Sequence, residues 1–268
     1  IENGHAYVAV NGDVYYKVAS FDTYGKLSKQ RIEEMRHGAR IDPGEDKADP
    51  LDFVLWKAAK PGEPAWESPW GLGRPGWHIE CSAMGLKYLG EGFDIHGGGR
   101  DLIFPHHENE IAQSEGALGT DFVRFWVHNG MLNTKDEKMS KSVGNIFLLR
   151  EALREYRPEV LVCFFVSSHY RSPIEFSKES LAKAGRQIER LRNVFRALAD
   201  YTGSTADEVA PRAPQAMVDA PAGSASGDEA LAEAVEAARR GFEQAMAEDL
   251  NTGGALGEVF MLAREVNS

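Results

Sequence analysis

Residues 93–116 read FDIHGGGRDLIFPHHENEIAQSEG, and this stretch decides the fold. Its first residues predict a short strand, 93–96, which precedes three consecutive glycines. Residues 105–115 predict a helix, because the proline that opens them suits a helix's first turn. A predicted helix at 79–89 comes before this stretch, and a predicted strand at 125–131 follows it. This alternation of helix and strand predicts an α/β fold with a parallel sheet.

Two neighbouring segments contain a set of possible metal ligands. His106 and Glu110 are four residues apart, so they would share one face of the predicted helix, and Cys81 lies 25 residues before His106. A thiolate, an imidazole and a carboxylate are all common zinc ligands. Because only the His106 and Glu110 part of the set is local, spacing alone leaves two readings open, a zinc site or buried structural polar groups.

A cationic loop is predicted at residues 137–145, which read EKMSKSVGN. Lys138 and Lys141 alternate with serines, and a glycine and an asparagine close the segment. Such a loop suits an anion such as a polyphosphate. The alternative is a plain solvated turn, since charged runs usually face water.

Composition sets broad limits on the protein class. The 268 residues are 43% apolar, which is enough for a substantial core and two or three compact units. The two cysteines, Cys81 and Cys163, provide no disulfide framework and fit a reducing compartment. Cys163 lies in an apolar run and is expected to be a packed, inert thiol. No apolar run approaches the roughly 20 residues of a membrane helix, and no secretory signal is visible, so a cytoplasmic protein without membrane contact is expected.

The order of the signature segments identifies a family. Residues 138–145, KMSKSVGN, resemble the second signature of class I aminoacyl-tRNA synthetases. With the segments WHIEC (77–81), FDIHGGG (93–99) and FPHHENE (104–110) in the same order, the chain resembles the cysteinyl-tRNA synthetase family. The resemblance extends over nearly the whole chain.

The resemblance and the local patterns together imply a four-part organisation. Apolar runs at 6–10 and 14–18 around an Asn-Gly-Asp turn predict a β-hairpin. The expected parts are a β-rich connective insertion (1–68), the second half of a Rossmann-type catalytic domain (69–135), the lysine loop with a stem-contact region (136–177), and a truncated, tRNA-binding type of α-helical bundle (178–268).

Within the helical part, spacing predicts helices at 181–198 and 231–246, with a flexible connection at 201–228. Lys183, Arg186 and Arg190 fall opposite the apolar stripe of the first helix. They are candidates for contact with the tRNA backbone, and a plain solvated face is the alternative. The net charge of −11 does not exclude such contact, because local basic clusters can bind phosphates. Gly253 stands where the family usually has proline, which leaves the start of a helix there undefined.

The resemblance also implies the roles of particular residues. Zinc would be bound by Cys81, His106, Glu110 and a fourth cysteine outside this chain, and it would select the thiolate of the substrate. The other implied site residues are Trp77, His78 and His96 around the amino acid, Gly97, Gly98, Gly99 and Asp101 around the adenosine, and Lys141 assisted by Lys138 at the ATP phosphates with Mg²⁺. For His78, a hydrogen bond to a carboxylate or carbonyl is an equal alternative to direct substrate contact.

The implied activity is the ATP-dependent conversion of L-cysteine to cysteinyl-adenylate, followed by transfer to tRNA(Cys) by a monomer. Two alternatives stay open, the cysteine ligase of mycothiol biosynthesis and a non-catalytic paralogue. His96 favours the synthetase over the mycothiol ligase, which tends to carry glutamine there. Since no H-I-G-H-type segment is present, we expect an internal fragment that lacks activity by itself.

Overall fold

The computed structural model describes residues 1–32, 34, 46–133, 148–203, 205 and 229–266. They belong to two compact units, Ile1–His128 and Asn129–Ser268. In the described part of the chain, no helix combines the length and the apolar character required to cross a membrane.

The first unit begins with a four-stranded antiparallel sheet in the order β1-β2-β3-β4. The predicted hairpin is confirmed, because β1 pairs with β2 in the register Ala6 with Tyr16 around a turn in which Gly12 has a φ of +86°. Strands β3 and β4 were not predicted. The bounds are Ala6–Val8 for β1, Val14–Tyr16 for β2, Phe53–Ala58 for β3 and Gly73–Pro75 for β4.

The helix–strand alternation follows this sheet. Helix α1 spans Trp77–Leu89, strand β5 Phe93–Gly99, helix α2 Glu108–Leu118 and strand β6 Val123–Asn129. Strands β5 and β6 pair in a two-stranded sheet. The order of elements is as predicted, whereas β5 continues through the three glycines and β6 begins two residues early.

Helix α2 begins three residues later than predicted. Phe104 has an extended backbone (φ −137°, ψ 132°) inside an irregular helical turn, Ile103–His107. A residue that precedes proline is disfavoured in the helical region, because the proline ring would clash with its backbone. The chain therefore bends at Phe104 and Pro105, and this bend brings His106 and His107 into the interior.

The core of the first unit joins the sheet to α2. Tyr16 and Phe53 stack with ring centroids 5.0 Å apart, and the Tyr16 hydroxyl donates a 2.7 Å hydrogen bond to the Ala112 carbonyl. Tyr16 and Ala112 are almost fully buried. This packing fixes the helix that carries the candidate ligands against the antiparallel sheet.

The second unit contains five helices and one small sheet among its described residues. The helices are α3 (Leu149–Glu155), α4 (Pro158–Val166), α5 (Lys178–Thr202), α6 (Glu229–Ala247) and α7 (Thr252–Val266), and β7 (Leu132–Asn133) pairs in parallel with β8 (Ile174–Glu175). The predicted helices at 181–198 and 231–246 lie within α5 and α6. Cys163 is buried in the core beside Leu181, as expected.

A polar cluster determines where α7 begins. Asp249 and Leu250 have left-handed backbones (φ 55° and 54°), and Asn251 Oδ1 accepts a 3.0 Å hydrogen bond from the Gly254 amide. Asp249 also accepts hydrogen bonds from the Tyr170 hydroxyl (2.8 Å) and the Arg171 side chain (2.5 Å). The helix therefore starts at Thr252 without a proline, which answers the question that Gly253 raised.

Candidate metal centre

The three predicted ligands come together in the first unit. Cys81 projects from α1, His106 from the irregular turn, and Glu110 from the first turn of α2. One potential ligand atom from each lies within 4.8 Å of the other two. His106 Nε2 is 3.0 Å from Glu110 Oε1, as their spacing on one face predicts. The donor set of sulfur, nitrogen and oxygen is one that zinc accepts.

Glu110 provides the test of whether a cation fits this set. Its side chain is 0% exposed, and neither carboxylate oxygen has a hydrogen-bond partner. Burial raises the pKa of Glu110 to about 8. Burying a charged carboxylate is costly unless a cation or a hydrogen-bond donor compensates it. A divalent cation between the three side chains would supply that compensation, so the residues fit a metal site.

His106 is oriented by a second histidine. His78 Nδ1 and His106 Nδ1 are 2.8 Å apart, which leaves His106 Nε2 directed to Glu110. Burial, with a smaller effect of His106, lowers the pKa of His78 to about 4, and burial also lowers the pKa of His106. The neutral imidazole that results is the form that binds metals. The two predicted alternatives for His78 were substrate contact and a hydrogen bond to a carboxylate or carbonyl, whereas the observed partner is the ring of a candidate ligand, His106.

A second set of potential ligands shares Glu110. His96 Nε2 and His107 Nε2 lie 3.5 Å and 4.0 Å from Glu110 Oε1. His107 Nδ1 is hydrogen-bonded at 2.8 Å to His128 Nε2. Burial, followed by the neighbouring histidines, lowers the pKa of His107 to about 3. Sequence reasoning missed His107 and His128, although the position of His107 three residues before Glu110 was an available signal.

Aromatic rings border the ligand cluster. Trp77, the first residue of α1, stacks on His106 with ring centroids 4.5 Å apart, and it is 58% exposed. Trp126 lies 4.6 Å from the His96 ring, measured between centroids. The structure therefore brings Trp77, His78 and His96 to the candidate metal ligands. Their contact with an amino-acid substrate stays a prediction.

Of the three glycines that were predicted to approach adenosine, Gly98 also has a packing role. A Cβ atom on Gly98 would lie 2.8 Å from Cε1 of His107, and one on Gly99 would lie 2.5 Å from Asp101 Oδ1. A Cβ on Gly97 would meet only the Val127 carbonyl oxygen, at 3.4 Å. Gly98 thus allows the ring of His107 to pack beside β5. The nucleotide roles of Gly97, Gly98, Gly99 and Asp101 stay predictions.

Two further predictions concern positively charged residues. Lys138 and Lys141 lie outside the described residues. Lys183, Arg186 and Arg190 are exposed on α5, and the Arg190 guanidinium lies 5.3 Å from the centroid of the Phe260 ring. The exposure is compatible with both readings of this face, contact with tRNA or simple solvation.

At pH 7, addition of zinc to the metal-free protein is expected to release about two protons. Burial, with a further effect of Glu110, raises the pKa of Cys81, and the pKa of Glu110 is about 8, so both groups hold a proton at pH 7. Since protons compete with the metal for both groups, zinc affinity should rise as the pH increases from 6 to 8. Calorimetric titrations in buffers of different ionisation enthalpy measure the release, and a value near zero would contradict these assignments.

The sequence matches two known families. Residues 1–186 match the family described as tRNA synthetases class I (C) catalytic domain, and residues 241–268 match the DALR domain. The chain is 53% identical over 264 residues to the cysteine–tRNA ligase of Maridesulfovibrio salexigens, covering 98% of this chain and 51% of that protein. It is 54% identical over 269 residues to the cysteine–tRNA ligase of Geobacter sulfurreducens, covering 100% and 52%. The chain therefore spans about half the length of these relatives.

Solved structures show the same fold at low sequence identity. A putative arginyl tRNA synthetase from Campylobacter jejuni gives a TM-score of 0.54 at 13% identity, covering 99% of this chain and 50% of that one. A ternary LeuRS-tRNA-LeuAMS complex from Agrobacterium radiobacter gives a TM-score of 0.56 at 15% identity, covering 76% and 29%. With the two family matches, these similarities confirm the predicted fold class, a synthetase catalytic domain followed by a helical domain.

Proposed function

The chain belongs to the tRNA synthetases class I (C) catalytic domain family, and from this premise we propose that the protein activates L-cysteine with ATP and transfers it to tRNA(Cys). The names of the relatives support this choice of amino acid and acceptor. The observation that carries the proposal is that Cys81, His106 and the fully buried Glu110 bring potential ligand atoms within 4.8 Å of one another.

Zinc is the metal that this donor set fits best, and Cys81, His106 and Glu110 would bind it. When bound, zinc stabilises a thiolate, and it does so far better than it stabilises an alcohol. Serine differs from cysteine by one atom, and a pocket that reads only shape would not reject it strongly. The ligand set therefore gives a physical basis for selecting cysteine.

The residues around the ligands would position the amino acid. Trp77 covers one face of the His106 ring and is open to solvent on its other side, so it would form a wall of the pocket. His78 holds the His106 ring through its Nδ1 contact. His96, with an 18% exposed side chain, has its Nε2 3.5 Å from Glu110 Oε1 and would contact the bound amino acid.

The first chemical step needs positioning more than acid–base catalysis. A carboxylate oxygen of cysteine forms a bond to the α-phosphorus of ATP, the bond to the β-phosphate oxygen breaks, and pyrophosphate leaves with the electron pair. Lys141, assisted by Lys138, would neutralise the charge that grows on the leaving group, and Mg²⁺ would accompany the nucleotide. A ribose hydroxyl of the terminal adenosine of the tRNA then attacks the acyl carbon and releases AMP.

In the complete enzyme, exchange of pyrophosphate into ATP is expected to depend on cysteine. The kcat/KM for cysteine should exceed that for serine by roughly 10⁴-fold, which is the range for a site that requires a specific polar group of its substrate. Addition of tRNA(Cys) should then yield cysteinyl-tRNA. Exchange with serine at a tenth of the cysteine rate would contradict the zinc-based selection. Transfer to an amino-sugar in place of tRNA would establish the ligase alternative, and no exchange at all would favour a non-catalytic role.

A further inference from the structure

A buried glutamine joins the two helices that carry the candidate ligands. Gln113 lies three residues after Glu110 and seven after His106, so all three occupy one face of α2 and its preceding turn. It is 5% exposed. Its Nε2 donates hydrogen bonds to the His78 carbonyl (2.7 Å) and the Ser82 hydroxyl (2.6 Å) of α1.

The two residues that accept these hydrogen bonds, His78 and Ser82, lie before and after Cys81 in α1. His78 and Ser82 are four residues apart on α1, so they stand one above the other on a single helical turn, and Cys81 belongs to that turn. Any shift of this turn moves the Cys81 sulfur relative to His106 and Glu110. The Gln113 contacts therefore hold the turn that carries Cys81. The other two ligands, His106 and Glu110, are already placed by their spacing of four residues.

The chemistry of the contact sets the orientation of the amide. A carbonyl oxygen only accepts hydrogen bonds, so the NH₂ group of Gln113 must face His78. Its Oε1 is then buried, and it has no hydrogen-bond partner. Burying an unpartnered acceptor destabilises a protein, whereas an apolar side chain of similar size would not carry that cost. The two hydrogen bonds that Gln113 donates to α1 offset this cost.

On the basis of the zinc site proposed above, we propose that Gln113 is a positioning residue that holds the Cys81 turn of α1 at ligand distance from His106 and Glu110. Its Nε2 hydrogen bonds go to the His78 backbone and to Ser82, and neither partner is the side chain of a candidate ligand. Its replacement therefore keeps all three ligand side chains in the sequence and weakens the anchoring of α1 to α2.

The test is zinc affinity in Gln113→Leu and Gln113→Glu variants of the complete enzyme, measured by competition with a chelator. Loss of an outer partner of a metal site commonly weakens binding by roughly 10- to 100-fold, and we expect this loss in Gln113→Leu. Gln113→Glu should lose at least as much, because a carboxylate would face the His78 carbonyl. In cobalt-loaded Gln113→Leu, the sulfur-to-cobalt absorption band should weaken or shift, because the Cys81 thiolate contributes to it.

Two neighbouring variants separate positioning from general destabilisation. Ser114→Ala removes a buried hydroxyl that has no hydrogen-bond partner, and Ile111→Val removes one buried methylene group from α2. Both should keep zinc affinity within about twofold of the parent, although Ile111→Val lowers the thermal stability of the metal-free protein. If Gln113→Leu does not fold, Ser82→Ala removes one of the two bonds, and a loss on the order of fivefold is expected.

The outcomes distinguish the two proposals. A parent enzyme that binds no zinc overturns both the metal site and the role of Gln113. A parent enzyme that binds zinc, together with a Gln113→Leu variant of equal affinity and an unchanged cobalt spectrum, overturns the positioning role alone. An equal loss of zinc affinity in Gln113→Leu and Ile111→Val would also overturn the positioning role, because the loss would then reflect the lower stability of the protein.

Discussion

Replacing Lys141 with alanine is expected to slow formation of cysteinyl-adenylate by roughly 10²- to 10³-fold, the range for losing one preorganised electrostatic group. Lys141 is proposed to stabilise charge that develops on pyrophosphate as its bond to the α-phosphorus breaks. An interaction made mainly in the transition state lowers kcat and kcat/KM together when it is removed, and it leaves cysteine binding almost unchanged. Rapid-quench kinetics of the complete enzyme measure this step.

The second half-reaction serves as an internal control for Lys141→Ala. Transfer from preformed adenylate to tRNA should change far less, since pyrophosphate has already left. Lys135→Ala removes the same charge six residues earlier in the chain. If the effect of Lys141→Ala is specific to that side chain and does not follow from the loss of any nearby positive charge, Lys135→Ala should leave the rates of both steps within about threefold of the parent. Equal slowing of both half-reactions, or a rise in the KM for cysteine alone, would contradict the phosphate role of Lys141. It would favour the alternative, in which residues 137–145 form a solvated turn.

Removal of a ligand by Cys81→Ala or His106→Ala is expected to weaken zinc binding in the complete enzyme by more than about 100-fold, beyond the loss that outer partners cause. Each variant removes one donor atom from a cluster whose members lie within 4.8 Å of one another. Both should also lose discrimination between cysteine and serine, because this discrimination is proposed to depend on the metal. Elemental mass spectrometry of the purified variants gives the zinc content.

The chain contains a matched control for the cysteine variant. Cys163 is buried in the core of the second unit beside Leu181, and Cys163→Ala removes a thiol from a site without candidate partners for a metal among the described residues. It should lower stability through the cavity that it leaves, and it should retain the zinc content of the parent. If Cys81→Ala and His106→Ala both keep full zinc stoichiometry, the ligand assignment is wrong.

Local signals in the sequence predicted most helices. The helices at 181–198 and 231–246 show regular apolar spacing, and the structure contains them within α5 and α6. Strands β3 and β4 were not predicted, because pairing with distant residues creates them: Trp56 lies opposite Val14 on one side and Pro75 on the other. Strand β4 has only three residues, two of which are glycine and proline, so its sequence carries no strand signal of its own.

The start of α2 shows how one residue displaces a boundary. The proline at position 105 predicts the first turn of a helix, because proline is commonly found there. The same ring forces Phe104 into an extended backbone, and the regular helix begins only at Glu108. As a consequence, His106 and His107 lie on a bend, where both can face the buried side chain of Glu110.

Some residues of the candidate site were predictable from the sequence, and others were not. His106 and Glu110 were predictable from a spacing of four residues and Cys81 from its residue type, and the family resemblance favoured zinc over buried structural polar groups. The roles of His107, His128 and Gln113 arise from contacts between elements far apart in sequence, such as the 2.8 Å contact between His107 and His128. No periodicity within one segment encodes such contacts, so they could be found only from the fold.

X-ray absorption at the zinc edge, recorded on the zinc-loaded complete enzyme and on its Cys81→Ala variant, tests most directly whether Cys81, His106 and Glu110 bind zinc. We expect a sulfur shell at roughly 2.3 Å together with nitrogen and oxygen neighbours at roughly 2.0–2.2 Å. The Cys81→Ala variant, loaded with excess zinc, should show one sulfur neighbour fewer. A zinc environment of oxygen and nitrogen alone in the parent, or a sulfur shell that Cys81→Ala leaves unchanged, would contradict the assignment.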